Sequence, residues 1–327
     1  MLQDSRSANT NRAEEIVRYR LASVFALFEQ PDVTEVSIIG GNNIWITRSG
    51  LREPVDLKVA EADLTGTLNA LASSMGLSAT PETVDAIVNA KFPGYRFSGV
   101  LAPTSAKGTS INIRKHSPKV FTLDDYVRLG AMPAEVAAFL AESVRRGDNM
   151  LAAGSTDTGK TTLLNALSRE IPRDKAVLTI EDTLELNLVV PNWRQLETNA
   201  QKGLTATKLV EYAMRASPDR ILVGELRGVE AASFLEAANT GHNGCMASLH
   251  CNSAYDAFSR LEILVLRADL GWPLSAIRQQ IASTINTVVH MTRIKGKRVL
   301  NEVAVIKGYS PETGRYDFDY VYQLQPK

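Results

Sequence analysis

The sequence has few of the features that mark secreted, disulfide-rich or membrane-spanning proteins. Its 327 residues include two cysteines, Cys245 and Cys251, too few for a disulfide framework, so we expect both to be thiols. The polar N-terminus, MLQDSRSANTNRAEE, lacks the apolar run of a secretory signal. No apolar stretch approaches the roughly 20 residues that span a bilayer. We therefore expect a cytoplasmic protein, with a membrane-associated partner left open.

Neither sign of charge is in excess. Lysine plus arginine number 36, and aspartate plus glutamate also number 36, so no overall field draws the protein to nucleic acid or anionic lipid. The sequence also lacks a basic stripe with interleaved aromatic residues, the pattern typical of single-strand binding. We therefore expect no direct contact with nucleic acid.

The length and the local patterns predict two domains. Residues 1–12 are polar and predict a disordered tail. Residues 13–116 mix helical and strand patterns and predict a smaller N-terminal α+β domain, and residues 117–133 carry prolines without a period, which is typical of a linker. Residues 134–327 alternate helix and strand patterns, which predicts an α/β domain with a parallel sheet wrapped by helices.

The stretch GSTDTGKTT predicts a phosphate-binding loop. The pattern Gly-x-x-x-x-Gly-Lys-Thr is complete at Gly154, Gly159, Lys160 and Thr161, between a strand-like NMLAA and a helical TTLLNALSREI. Glycines let backbone N–H groups turn toward phosphates, and the following helix adds its positive end. Lys160 would bridge the β- and γ-phosphates of ATP, and the Thr161 hydroxyl would ligate Mg²⁺. The predicted nucleotide-binding residues of this loop are Gly154, Ser155, Thr156, Asp157, Thr158, Gly159, Lys160, Thr161 and Thr162.

Carboxylates follow a second apolar strand, in LTIEDTLEL. Glu181, Asp182 and Glu185 come at its carboxyl end, where ligands bind in open α/β sheets. Such groups hold Mg²⁺, directly or through water, or orient an attacking water. We predict a catalytic role for Glu181 and a metal role for Asp182, the alternative being a solvated acidic turn.

Histidine and cysteine occur together in TGHNGCMASLHC. The spacing of His242, Cys245, His250 and Cys251 fits no common zinc pattern. A metal site is one interpretation of these residues, and the alternative is that the histidines respond to the state of a bound nucleotide.

Four stretches together resemble a known family. GSTDTGKTT, LTIEDTLEL, MRASPDRILVGELRG and TGHNGCMASLHCNS are similar, in this order, to the Walker A, Asp box, Walker B and His box of the secretion ATPase superfamily. These proteins are hexameric motors of type IV secretion, conjugal transfer, type II secretion and type IV pili. The resemblance runs from about Pro31 to Gly308. The short length resembles the type IV secretion and conjugal-transfer branch (TrbB-like), and the four-cysteine module of type II members has no counterpart in this sequence.

The resemblance implies a RecA-like ATPase domain and roles for further residues. Glu225 corresponds to the Walker B glutamate, which would activate the hydrolytic water with Glu181, and His250 corresponds to a γ-phosphate sensor. Arg96 and Arg114 match arginines that reach the phosphates from the N-terminal domain. ATP would then clamp the two domains together, and hydrolysis would release them.

The resemblance also implies partners. The protein is expected to be a homo-oligomer, a hexamer, peripheral to the inner membrane and docked on proteins of a secretion or conjugation apparatus. Arg215, Arg220 and Arg227 match family positions as well. They would serve the site or a subunit boundary, or else be ordinary surface arginines.

Asp157 departs from the family pattern, which has glycine at this position. Aspartate tolerates a positive φ less freely than glycine, and a carboxylate beside a triphosphate adds repulsion unless it turns outward or meets a cation. We therefore predict that Asp157→Gly tightens ATP binding, and equal dissociation constants would refute this. The alternatives left open are a nucleotide-binding ring component with weak or no hydrolysis, a type IV pilus motor, and a small-molecule kinase, for which the sequence offers no acceptor site or lid.

Overall fold

The computed structural model describes residues 12–48, 50–81, 86–92, 94–115, 120–199 and 202–325. The chain divides into two compact units, Met1–Lys119 and Val120–Lys327. The predicted tail at residues 1–12 lies outside the described residues except for its last residue, which belongs to a helix.

The first unit is an antiparallel six-stranded sheet with helices against it. Its strand order is β3-β2-β1-β6-β5-β4. The helices bury Val17, Leu21, Leu64 and Leu68 together with apolar side chains of five of the strands, as the alternating apolar and polar residues of those strands predict. The remaining strand, at residues 51–55, is exposed except for the half-buried Val55. The elements are α1 (residues 12–20), α2 (Ala22–Leu27), β1 (Val33–Ile39), β2 (Asn43–Arg48), β3 (Leu51–Val55), α3 (Glu61–Ser74), β4 (Ile87–Phe92), β5 (Tyr95–Val100) and β6 (Ser110–Lys115).

The second unit has an eight-stranded sheet with the order β14-β13-β12-β7-β11-β10-β8-β9. The run from β12 to β9 is parallel, and β13 and β14 extend it antiparallel beyond β12. The strands are β7 (Met150–Gly154), β8 (Val177–Glu181), β9 (Trp193–Glu197), β10 (Arg220–Leu226), β11 (Met246–Leu249), β12 (Thr287–Ile294), β13 (Lys297–Ser310) and β14 (Arg315–Gln323).

Helices cover both faces of this sheet. Every residue of β7, β8 and β11 is buried, as expected of central parallel strands. The α/β fold class with a smaller α+β domain before it is therefore confirmed. The helices are α4 (Leu123–Arg128), α5 (Ala134–Arg146), α6 (Lys160–Ser168), α7 (Ala206–Arg215), α8 (Glu230–Asn239), α9 (Ala254–Leu266) and α10 (Leu274–Thr284).

Part of the segment interpreted as a linker, residues 117–133, is helical. Helix α4 begins with a capping box between Thr122 and Asp125, and Leu123, Tyr126 and Met132 are buried in the core of the second unit. The interpretation failed because a six-residue helix is too short to show a helical period. Residues 116–119 are outside the described part of the chain.

Within the described ranges, no helix has the length and apolar character needed to cross a membrane.

Candidate functional site

The loop GSTDTGKTT lies at the carboxyl edge of the parallel sheet. It joins the central strand β7 to α6, which begins at Lys160, and β7 lies between β11 and β12. The first N–H groups of a helix have no intrahelical acceptor, and they carry the positive end of the helix dipole. This edge therefore offers a ready site for an anion such as a phosphate.

Two glycines are required by the shape of the loop. Gly154 has φ +150°, and a Cβ there would lie 2.5 Å from the Met291 carbonyl oxygen and 2.6 Å from Thr158 Oγ1. Gly159 has φ +94°, and a Cβ there would lie 3.1 Å from Arg298 Cδ. A side chain at either position would distort the loop, which explains the spacing of the sequence pattern.

Lys160 and Thr158 are held by the carbonyl of Ser155. Lys160 is buried, with 7% of its surface exposed, and its Nζ donates to the Ser155 carbonyl at 2.9 Å. The buried Thr158 donates its hydroxyl to the same carbonyl at 2.9 Å. Thr161 and Thr162 are half-buried in the first turn of α6. The loop thus presents an ammonium group and a helix start at one place.

Asp157 does adopt the left-handed conformation, with φ +61°, and cations meet its carboxylate. Arg293 Nη1 donates to Asp157 Oδ2 at 2.9 Å. Arg298 donates to Asp157 Oδ1 through Nη2 and to the Asp157 carbonyl through Nε, the latter at 3.0 Å. The sequence analysis missed both arginines, because they lie 136 and 141 residues further along the chain and belong to no motif.

A chain of polar contacts leads from the loop to neighbouring strands. Lys160 Nζ lies 3.5 Å from His250 Nδ1, and His250 Nε2 lies 3.0 Å from Glu225 Oε1. Arg227 donates to Glu225 Oε2 at 2.7 Å and to Asp182 Oδ2 at 3.3 Å. Four residues that the sequence predicted for the site, Lys160, His250, Glu225 and Asp182, are therefore brought together by β7, β11, β10 and β8.

The protonation of His250 follows from this chain. Burial, and next the nearby Lys160, lower the pKa of His250, although Glu225 opposes the shift. The imidazole is therefore neutral near pH 7. A neutral ring that faces an ammonium at Nδ1 and a carboxylate at Nε2 carries its hydrogen on Nε2 and accepts at Nδ1.

Glu181 holds a turn of the main chain rather than facing the loop. Its Oε2 accepts from the N–H groups of Glu185 and Leu186 at 2.7 and 2.8 Å, and its Oε1 accepts from Gln195 Nε2 at 3.2 Å. The residue is buried, and burial raises the pKa of Glu181. Both oxygens are thus used in fixing the segment after β8, and the catalytic role of Glu181 stays a prediction.

Asp182 is exposed, and both of its carboxylate oxygens make contacts. Its Oδ1 accepts from Thr198 Oγ1 at 2.8 Å, and its Oδ2 faces Arg227. Among the residues that the structure describes, no group of three His, Cys, Asp or Glu side chains could hold a metal ion. Cys245 is fully buried, where desolvation raises its pKa to about 12, and its thiol donates to the His242 carbonyl at 3.0 Å.

The remaining predicted arginines differ in their surroundings. Arg220 is buried and donates to the Val144 carbonyl at 2.6 Å, so it caps the end of α5 rather than serving the site. Arg215 is exposed. In the first unit, Arg96 and Arg114 are direct cross-strand neighbours on β5 and β6, on the opposite side of β6 from the buried Ile111 and Ile113.

Comparison with known proteins identifies the family. Residues 80–312 match the model of the Type II/IV secretion system protein family. The chain is 31% identical over 300 residues to the probable conjugal transfer protein TrbB of Sinorhizobium fredii, covering 89% of this chain and 88% of that protein. It is 30% identical over 312 residues to the type IV secretion system protein VirB11 of Brucella suis, covering 84% and 85% of the two chains.

A solved structure has the same fold. The ATPase DotB of Yersinia pseudotuberculosis superposes with a TM-score of 0.63 at 19% identity, over 89% of this chain and 79% of that one. The family match and the two relatives together agree with the four ordered motifs. The chain belongs to the Type II/IV secretion system protein family, in the TrbB-like branch of the secretion ATPases.

Proposed function

We propose that the protein is a Mg-ATP-hydrolysing motor that powers pilus assembly or substrate transfer in a type IV secretion or conjugation apparatus. The observation that carries the proposal is the polar chain from Lys160 through His250 to Glu225, beside a phosphate-binding loop. The names of the relatives, a conjugal transfer protein and a type IV secretion protein, supply the apparatus.

The loop would hold the phosphates of ATP. Lys160 now bonds the Ser155 carbonyl, and on nucleotide binding its ammonium would instead meet β- and γ-phosphate oxygens. The main-chain N–H groups of the first turn of α6 would bind the same phosphates. Because the loop is held by its own contacts, little rearrangement is needed to accept the ligand.

Glu225 is the group that would act on the attacking water. Its Oε1 faces His250, and its Oε2 faces Arg227, so the carboxylate is fixed from both sides. His250 lies between Lys160 and Glu225. It would thereby transmit the presence of a γ-phosphate at Lys160 to the carboxylate that activates water.

A magnesium ion fits the residues that are present. Mg²⁺ takes most of its ligands from phosphate oxygens and water and needs one or two protein oxygens. The Thr161 hydroxyl on the first turn of α6 would supply one, and Asp182 would act through water, since both of its oxygens already have partners. When bound, the ion neutralises charge on the phosphates.

We further propose that Arg96 and Arg114 contribute to nucleotide binding from the first unit. The two residues are cross-strand partners, so their side chains start from the same face of the sheet, a placement suited to an anionic ligand. Arg96→Ala should raise the KM for ATP without altering the mass of the assembly.

The assembly and its partners are part of the proposal. We infer a homohexameric ring that docks on inner-membrane proteins of the apparatus from the cytoplasmic side, with no direct contact to nucleic acid. A ring component with little hydrolysis is the main rival. The arginines on Asp157 weaken the case for it, because the carboxylate that suggested a poor site is neutralised.

The test is ATP hydrolysis by the purified protein with Mg²⁺, beside Lys160→Ala and Glu225→Gln, with the mass of the assembly recorded on the same samples. We expect turnover by the wild type, loss of turnover in both variants, and a six-subunit mass throughout. Nucleotide binding without turnover in the wild type would support the rival. A pilus motor would instead be distinguished by the proteins recovered with it from cells.

A further inference from the structure

The hairpin formed by β12 and β13 reaches the phosphate loop with two arginines. Strand β12 pairs with β7 up to Met291 and Gly154, so its last residues continue past the start of the loop. The turn to β13 consists of Lys295 and Gly296, which have φ +48° and +81°, as in the tight turns that join antiparallel strands. The hairpin is therefore a short, regular arm beside the loop.

Arg293 and Arg298 are directly opposite each other on this hairpin. Like charges at opposed positions of an antiparallel pair are destabilising, unless an anion lies between them. Asp157 supplies that anion, because one carboxylate oxygen faces each arginine. Arg298 also bonds the Asp157 carbonyl and packs its Cδ over Gly159. We call Asp157, Arg293 and Arg298 the loop clamp.

We propose that Arg293 and Arg298 are positioning residues for the nucleotide, which act through Asp157 to hold the phosphate loop and to cancel the repulsion between its carboxylate and the phosphates. This inference rests on the proposed nucleotide site. The clamp has two positive charges and one negative charge, so its net charge is positive although it includes an aspartate of the loop. The aspartate is thus compatible with tight nucleotide binding only while the arginines are in place.

Three features of the geometry support the proposal. The carboxylate is directed to the hairpin and is two-thirds buried, with 31% of its side chain exposed. The hydrogen bond from Arg298 Nε to the Asp157 carbonyl restrains the residue whose φ is left-handed. The loop and the hairpin are far apart in the sequence, so the clamp holds the loop against the edge of the sheet.

A double-mutant cycle measured by ATP binding tests the clamp. The dissociation constant for a non-hydrolysable ATP analogue is measured by calorimetry for the wild type, Arg298→Ala, Asp157→Gly and the double variant. We expect Arg298→Ala to weaken binding about tenfold, the size of one charged hydrogen bond. In the Asp157→Gly background the same change should have an effect of less than about threefold, because no carboxylate is left to neutralise.

Lys297→Ala is the matched control, since it removes one positive charge from the same hairpin, where Lys297 is exposed. We expect it to leave the dissociation constant within about twofold of the wild type, because the exposed charge of Lys297 is screened, whereas Arg298 is paired directly with Asp157. Arg293→Ala should behave as Arg298→Ala does. Rescue of affinity in the double variant is a result that a merely structural role of Arg298 would not give.

Two results would overturn the clamp. One is an equal loss of affinity on removing Arg298 with and without Asp157, and the other is the same loss from Lys297→Ala. A failure of the proposed function would give a different result from a failure of the clamp. In that case the wild type would bind no nucleotide, or Lys160→Ala would bind nucleotide as well as the wild type does.

Discussion

Substitutions at Glu181 show whether its carboxylate has a structural or a catalytic role. Three hydrogen bonds converge on Glu181, two from the main-chain N–H groups of Glu185 and Leu186 and one from Gln195. In Glu181→Ala the two N–H groups lose their acceptor, and each such buried group costs about 1–3 kcal/mol. We therefore expect Glu181→Ala to lower the free energy of unfolding by about 4 kcal/mol.

Glu181→Gln should be much milder. The amide oxygen can still accept from both main-chain N–H groups, and the lost bond is that from Gln195, which costs about 1 kcal/mol. Burial raises the pKa of Glu181, so the native state already disfavours its charge, and the neutral amide recovers part of this cost. If Glu181 is structural, ATP turnover per folded molecule should stay within about threefold of the wild type, well short of the effect of losing a general base.

The assay combines urea unfolding with ATP turnover normalised to the folded fraction. Glu225→Gln is the reciprocal control, and it should lower turnover about a hundredfold or more with little change in stability. Our reasoning would be refuted if Glu181→Gln kept wild-type stability and lost turnover as Glu225→Gln does. Glu181 would then be catalytic, as the sequence pattern predicted.

Further predictions concern stability and affinity. Arg220→Met should lower the melting temperature, with a loss of about 2 kcal/mol, because the Val144 carbonyl at the end of α5 loses its charged donor and keeps only the Gly147 N–H; the exposed Arg215→Met should have no such effect. Burial lowers the pKa of His290, so below the ordinary value of about 6.5 the unfolded chain binds more protons than the native one and stability falls with falling pH. The urea midpoint of His290→Gln should therefore fall less on acidification than that of the wild type, and parallel curves would contradict this. Asp157→Gly should tighten ATP binding a few-fold, measured by calorimetry, because it leaves the positive charges of Arg293 and Arg298 without their counter-ion beside the loop. It should change stability by less than about 1 kcal/mol, since relief at φ +61° offsets the loss of two partly exposed ion pairs.

The glycine-containing loop at residues 154–162 and the alternating fold could be predicted because both are local patterns. Gly154 and Gly159 are fixed by the turn that the loop makes, and β7 and β8 are short apolar runs that only a buried parallel sheet accommodates. Glu225 and His250 were named from the resemblance of their motifs to the Walker B and His box of a known family, and they lie close together because the carboxyl ends of the parallel strands β10 and β11 meet at one edge.

The contacts that the sequence did not indicate have a different physical origin. The role of Glu181 depends on whether a main-chain turn folds back over its carboxylate, and nothing in LTIEDTLEL indicates that it does. The arginines that neutralise Asp157 come from a hairpin far along the chain. Helix α4 depends on burial of Leu123 and Tyr126 in the second unit rather than on a helical period. These features depend on tertiary contacts, which a local pattern does not contain.

The most direct test of the central claim is the ATP turnover of Glu225→Gln, measured together with its affinity for ATP. The account predicts that the variant binds ATP with a dissociation constant within about threefold of the wild type and hydrolyses it at least about a hundredfold more slowly. Turnover close to that of the wild type would contradict the claim that the chain from Lys160 through His250 ends on the carboxylate that activates water.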